Sequence, residues 1–131
     1  MFRLPCSYLA ATILFAAFNS MACGQAIDLV CSGTWHDFRP TPTINSTVGP
    51  AATKVDLENR RITTPIGNFS MFKIEDTKIW FQDDPGKQLF VQGSLDRLSG
   101  QMTISWWNPE EMWKRAAMIA ELRCSAAKRL F

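Results

Sequence analysis

Histidine is all but missing from this chain of 131 residues, where His36 stands alone. A zinc site draws on several His or Cys ligands, so His36 would need carboxylates as its only partners, and no metal or other cofactor is expected. No Cys-x-x-Cys pair occurs, which removes the common dithiol redox motif. A surplus of charge is lacking too. The 14 Lys and Arg against 12 Asp and Glu leave a formal net charge of +2, without the clustered basic residues that a nucleic-acid partner requires. Nor is there an apolar run of membrane-spanning length, since residues 9–18 supply only about 10 of the roughly 20 needed. No glycine-rich phosphate loop or nucleophile elbow is found, so no catalytic residue is assigned.

What is present begins with an export pattern. Arg3 precedes the charge-free apolar stretch 9–18, and small and polar residues follow over 19–26. Charged, apolar and small-residue regions in that order read as a secretory signal peptide, residues 1–26, with cleavage expected after Ala26 or, as the alternative, after Ala22. Cleavage at Ala22 would leave Cys23 first, and a lipid anchor through Cys23 is the alternative to a periplasmic or secreted protein. Ser20 and Met21 depart from the residues that precede a bacterial lipidation cysteine.

Four cysteines would permit three pairings. Losing Cys6 and Cys23 with the leader leaves one, Cys31 with Cys124. A bridge closing a loop of about 90 residues would stabilise by roughly 4 kcal/mol in the chain-entropy description. Residues 27–131 fit one domain with one modest core.

The apolar pattern is mostly of period two, as in half-buried strands. Strands are expected at 27–35, 54–57, 61–64, 67–74 and 78–82, with turns at 58–60 and 75–77. Residues 38–50 hold Pro40, Pro42, Gly49, Pro50 and a run of Thr, Asn and Ser, and read as a surface loop where a ligand would find contacts. After Lys78 the alternation is clearest: Ile79, Phe81, Leu89, Val91, Met102, Ile104 and Trp106 should face the core. Residues 83–87 and 95–100 are rich in turn formers. The fold class is therefore mainly β, a small antiparallel meander or partly closed barrel closed by the disulfide.

Leu95-Asp96-Arg97-Leu98-Ser99-Gly100 and the run Cys124-Ser125-Ala126-Ala127-Lys128-Arg129-Leu130-Phe131 resemble small uncharacterised exported proteins of Gram-negative bacteria. The resemblance spans residues 31–131 and implies export and a compact disulfide-closed domain, with no activity attached. Leu29-Val30-Cys31-Ser32-Gly33 is faintly similar to the early cysteine strand of periplasmic lysozyme inhibitors.

Near the C-terminus, Asn108-Pro109-Glu110-Glu111 offers a cap, a first-turn proline and a capping-box acid. A short helix from Pro109 to about Arg115 is expected, then a closing strand carrying Cys124. The alternative is an α+β arrangement with a longer C-terminal helix, to Ala120 or beyond, packed on the sheet.

Function divides into two classes. The first is a non-catalytic binding or inhibitory module acting on an envelope protein or glycan; the second is a small periplasmic hydrolase, which His36 beside Asp37 or a pair among the acids would have to serve. Asn45-Ser46-Thr47 and Asn68-Phe69-Ser70 match the glycosylation pattern, which arises often by chance. A hairpin centred on Pro85 puts Trp80 opposite Phe90, and a turn centred between Arg97 and Leu98 sets Trp107 diagonal to Phe90. Trp80, Phe90 and Trp107 then form an outward aromatic cluster, either an open binding surface or one covered by the helix and Trp113.

Overall fold

The computed structural model describes residues 26–83, 89–111 and 114–128. Residues 1–25 with Cys6 and Cys23, on which the expected signal peptide falls, the turn at Pro85, Trp113 and the final residues 129–131 lie outside the described residues. Eight strands follow one another: β1 (Ile27–Asp37), β2 (Ile44–Asp56), β3 (Arg61–Thr64), β4 (Gly67–Ile74), β5 (Lys78–Gln82), β6 (Phe90–Asp96), β7 (Gln101–Trp107) and β8 (Met118–Ala126). Each pairs antiparallel with the next and β8 returns to β1, so the meander closes completely into a barrel. Closure leaves no open edge for another chain to extend.

Period-two alternation decides which side chains go inside. Val55, Ile62, Phe69, Met71, Ile79, Phe81, Val91, Leu95, Met102, Ile104, Ala120 and Leu122 fill the interior with Cys31 and Cys124. Outward positions carry Lys54, Thr34, Glu121 and Arg123 as well as the exposed apolar Val30 and Phe72. Among the described residues no helix is long and apolar enough to cross a membrane. Cys31 faces Cys124 directly across β1 and β8, with Cα atoms 4.1 Å apart, and the two are bonded. The bridge thus fastens the seam where the sheet meets itself.

The two ends of the barrel differ. At one end the connections 57–60, 75–77 and 97–100 are short turns. At the other end half-buried Trp35, paired with Ala120, and Trp106, paired with Met118, pack against the core. Buried Asp37 receives Arg39 there in a two-pronged fork, Nε to Oδ1 at 2.9 Å and Nη2 to Oδ2 at 2.8 Å, and the same Nη2 reaches Met118 Sδ at 3.4 Å. Backbone bonds from Phe38 N to Ala117 O and from Ala117 N to Trp106 O tie the connections across that end.

The Arg39 side chain, and then its backbone N–H, hold the Asp37 carboxyl below its ordinary value of 3.8. A depressed folded value favours the folded state above the unfolded one and loses that advantage as pH falls through the lowered value. The melting temperature of Asp37→Asn should therefore lie below wild type by a constant margin from pH 8 to 5, and the margin should close on acidification toward about pH 2. A gap that persists unchanged in acid would show that the charge plays no part.

Three expectations need correction. Residues 44–50 are not loop: β2 starts at Ile44, and the proline and glycine are absorbed as a bulge. The register with β1 slips between Cys31 and Gly33, opposite Gly49 and Pro50. Gly49 has φ 68° there, and a Cβ on it would strike the Cys31 carbonyl; a bulge tolerates both that conformation and the missing N–H of proline. Only 38–43 remain as the connection. The longer C-terminal helix of the α+β alternative is overturned, because Met118–Ala126 is strand β8. Of the short helix, the described residues show a single 3-10 turn, Pro109–Glu111, begun by Asn108 Oδ1 accepting the Glu110 N–H. Leu89 is the third: it precedes β6 and is half-buried, whereas the other inward positions of the meander face or pack against the core.

Candidate functional site

The outward aromatics arise from the same alternation that packs the interior. On β5, Ile79 and Phe81 point in, so Trp80 points out; on β6 and β7, Val91 and Trp106 point in, so Phe90 and Trp107 point out. All three are half-buried. Their neighbours are not those expected from hairpin centring. Trp80 pairs with Ser94, not Phe90, and Phe90 pairs directly with Trp107. The chain between β5 and β6 is longer than a tight turn about Pro85, so β6 slides by four residues along β5. An even slide keeps every side chain on its face but changes its partner.

Trp80 consequently lies about 13 Å along the sheet from Phe90, at roughly 3.3 Å per residue. The three residues form two features. Phe90 with Trp107 is a cross-strand aromatic pair at the end of the barrel away from the short turns. Trp80 stands apart beneath Lys78, whose Nζ is 4.5 Å from the ring centroid, a cation–π arrangement. Between them the outward positions are neutral and polar: Gln82 faces Gln92, Gln92 faces Ser105, and Ser94 faces Thr103.

His36 sits on the outer face of β1, where it pairs with Asn45 and Ile119. Its Nδ1–H donates to Asn45 Oδ1 at 2.6 Å, and its ring stacks on Phe38 with centroids 6.1 Å apart. Asp37, its chain neighbour, points to the interior and is committed to Arg39, so the two do not act together as a dyad. Adjacent residues on a strand face opposite sides. Nearby, Phe38, Thr43, Arg115, Ala116 and Ile119 enclose a shallow groove of about 340 Å³, bridged by Arg115 donating to the Phe38 carbonyl oxygen at 3.1 Å. The connection expected to offer ligand contacts supplies only Phe38 and Thr43 to it.

The turn at residues 95–100 owes its shape to Asp96. Its Oδ1 accepts the backbone N–H groups of Leu98 at 2.8 Å and Ser99 at 3.0 Å. The bond from Ser99, then that from Leu98, keep the Asp96 carboxyl below its usual range. Gly100 closes the turn at φ 76°, in the left-handed region that favours glycine. These residues are explained by turn geometry. Among the described residues no group of three or more His, Cys, Asp or Glu could hold a metal ion.

No protein-family model, no curated protein and no solved structure matches the chain.

Proposed function

We propose that this protein is an exported, non-catalytic binding module of the cell envelope, one of the small exported proteins whose terminal sequence it resembles. The observation that carries the reading is the outer face of β5 to β7, with the Phe90 and Trp107 pair at one end, Trp80 under Lys78 further along, and a strip of Gln, Ser and Thr side chains between. Aromatic side chains supply large contact area at low entropic cost and dominate recognition surfaces. The amides and hydroxyls beside them offer hydrogen bonds to a polar partner without the desolvation cost of charge. An envelope protein or glycan is the partner class of that chemistry. The buried disulfide supports an oxidising compartment, where such bonds persist.

The test separates binding from packing. A cross-strand aromatic pair on an outward face is worth about 0.2–1 kcal/mol and the cation–π contact of Lys78 with Trp80 about 0.5–1 kcal/mol, so Trp107→Ala and Trp80→Ala should each leave the melting temperature within a few degrees of wild type. Both should lose retention of envelope protein or glycan from the source cells. Unchanged retention, or a melting temperature that collapses with Trp107→Ala, would end the reading. Mass spectrometry of the same material should show a chain beginning at Ile27, and a lipid mass on Cys23 would replace the free module with an anchored one.

A further inference from the structure

We propose that the turn end of the barrel is a second binding site, for a small amphiphile with an apolar chain and an anionic head such as a carboxylate. Ile27, Leu29, Val55, Ile79 and Leu95 wall an open cavity of about 390 Å³ there, and the rim is the turn from Asp96 to Gly100. That volume falls within the range of small-molecule pockets, which favour the mouths of β-barrels.

The asymmetry of the fold explains why this end is open. The connection 38–43 and the stretch that links β7 to β8 belong to the far end, where half-buried Trp35 and Trp106 pack against the core and Asp37 is held by the exposed Arg39. At the near end the turns 57–60, 75–77 and 97–100 are too short to fold across the opening. Two apolar side chains are left in water at the lip, Leu98 with 81% and Ile27 with 42% of its surface exposed. Val55, Ile79 and Leu95 form a floor that is already buried, so the apolar surface that a hydrocarbon chain would remove from water is that of Ile27, Leu98 and part of Leu29.

The head group is argued from charge. Arg97 stands on the rim beside Asp96; the carboxylates of Asp96 and Glu75 are otherwise engaged, and Asp76 lies between the two residues whose carbonyls Arg97 contacts. Asp96 turns back onto the N–H groups of Leu98 and Ser99, and Glu75 is paired with Lys73 at 2.8 Å. Arg97 spends one donor on the Glu75 carbonyl oxygen, at 2.9 Å, while its backbone N–H bonds to the Thr77 carbonyl. The first bond holds the guanidinium against the neighbouring turn and the second holds only the backbone beneath it; a guanidinium has five N–H donors. An apolar well with a held cation at its edge is complementary to an anionic amphiphile. The site is distinct from the Phe90 and Trp107 pair, which lies at the other end of the barrel, whereas Trp80 and Lys78 lie on the outside of the turn end, Lys78 opposite Asp96.

Octanoate and 1-octanol are the probes, with titration calorimetry and methyl NMR on the full chain. Octanoate should bind at one per chain, shifting the methyl resonances of Ile27, Leu29, Val55, Ile79 and Leu95 and leaving Ile44 and Ile119 unmoved. Arg97→Gln should weaken octanoate about tenfold, as loss of a charged hydrogen bond implies, with octanol unaffected. Ile27→Trp, which fills the mouth from its exposed side, should abolish both at an unchanged melting temperature. Trp107→Ala should bind octanoate like wild type, so failure of the outer-face reading and failure of this one are distinguishable. Absence of octanoate binding at millimolar concentration, shifts centred on Ile44 and Ile119, or indifference to Arg97→Gln would each overturn the proposal. So would a chain ending at Lys128 that bound octanoate where the full chain did not, which would assign the mouth to residues 129–131. A dimer dissolved by Leu98→Asp would assign the mouth to a second copy and overturn the proposal equally.

Discussion

Replacing both bridge cysteines, as Cys31→Ala with Cys124→Ala, should lower the unfolding free energy by about 2–5 kcal/mol. Two features place the effect toward the upper part of that range. The bridge spans 93 residues, and the longer the loop a bond closes, the more conformational freedom it withdraws from the unfolded chain. It also joins β1 to β8, the pairing of highest sequence separation, whose formation converts an open sheet into a barrel. Without the bond that seam rests on the β1–β8 ladder alone. Both cysteines are buried, at 0% and 7% exposure, so alanine at each leaves little surface newly wet and the loss reports chiefly on closure. Urea unfolding of the double variant beside the oxidised wild type measures it. A difference under about 1 kcal/mol would mean that the closed sheet is held by its ladder and core, with the bond incidental.

Phe81→Ala should cost about 3–5 kcal/mol, the range for removing a fully buried aromatic side chain. The ring is 0% exposed and stacks on Phe69 with centroids 5.3 Å apart. It also lies over Gly93, its partner across β5 and β6, so closely that a Cβ on Gly93 would strike the ring. Glycine in a strand normally weakens it; here it makes room for the largest of the fully buried side chains. Gly93→Ala alone should therefore destabilise by about 1–3 kcal/mol through overpacking. In the Phe81→Ala background the same substitution should cost less, because the atoms it would strike are gone. A double-mutant cycle on denaturant midpoints reads the coupling. Additive losses would show that the ring moves aside freely and that Gly93 is not required for its placement.

Much of the barrel was legible in the residues. Strands β3, β4 and β5 fall where period two places them, at Arg61–Thr64, Gly67–Ile74 and Lys78–Gln82, because short alternating runs between turn residues have few other ways to bury their apolar half. The facing of Ile79, Phe81, Val91, Met102 and Ile104 follows from the same rule. Strand β2 was hidden because Gly49 and Pro50 are read locally as loop formers, while long pairing with β1 tolerates them as a bulge. Strand β8 was ambiguous because Ala, Met, Leu and Glu are good helix formers. Pairing with both β1 and β7 overrides that preference, since it lets Met118, Ala120, Leu122 and Cys124 reach the interior together.

The outward aromatics show the division most plainly. Alternation alone put Trp80, Phe90 and Trp107 on the outside, since a strand side chain has only two directions available. Which of them meet is a matter of register, set by the length of the chain between β5 and β6 and by closure of the sheet, so Phe90 met Trp107 and Trp80 met Ser94. Composition and spacing likewise pointed to a β-rich chain with a bond between Cys31 and Cys124, the pairing that the structure contains. Full closure and the placing of the connections at the two ends were decided only in three dimensions. They depend on where eight strands begin and end relative to one another, and no local run of residues carries that information.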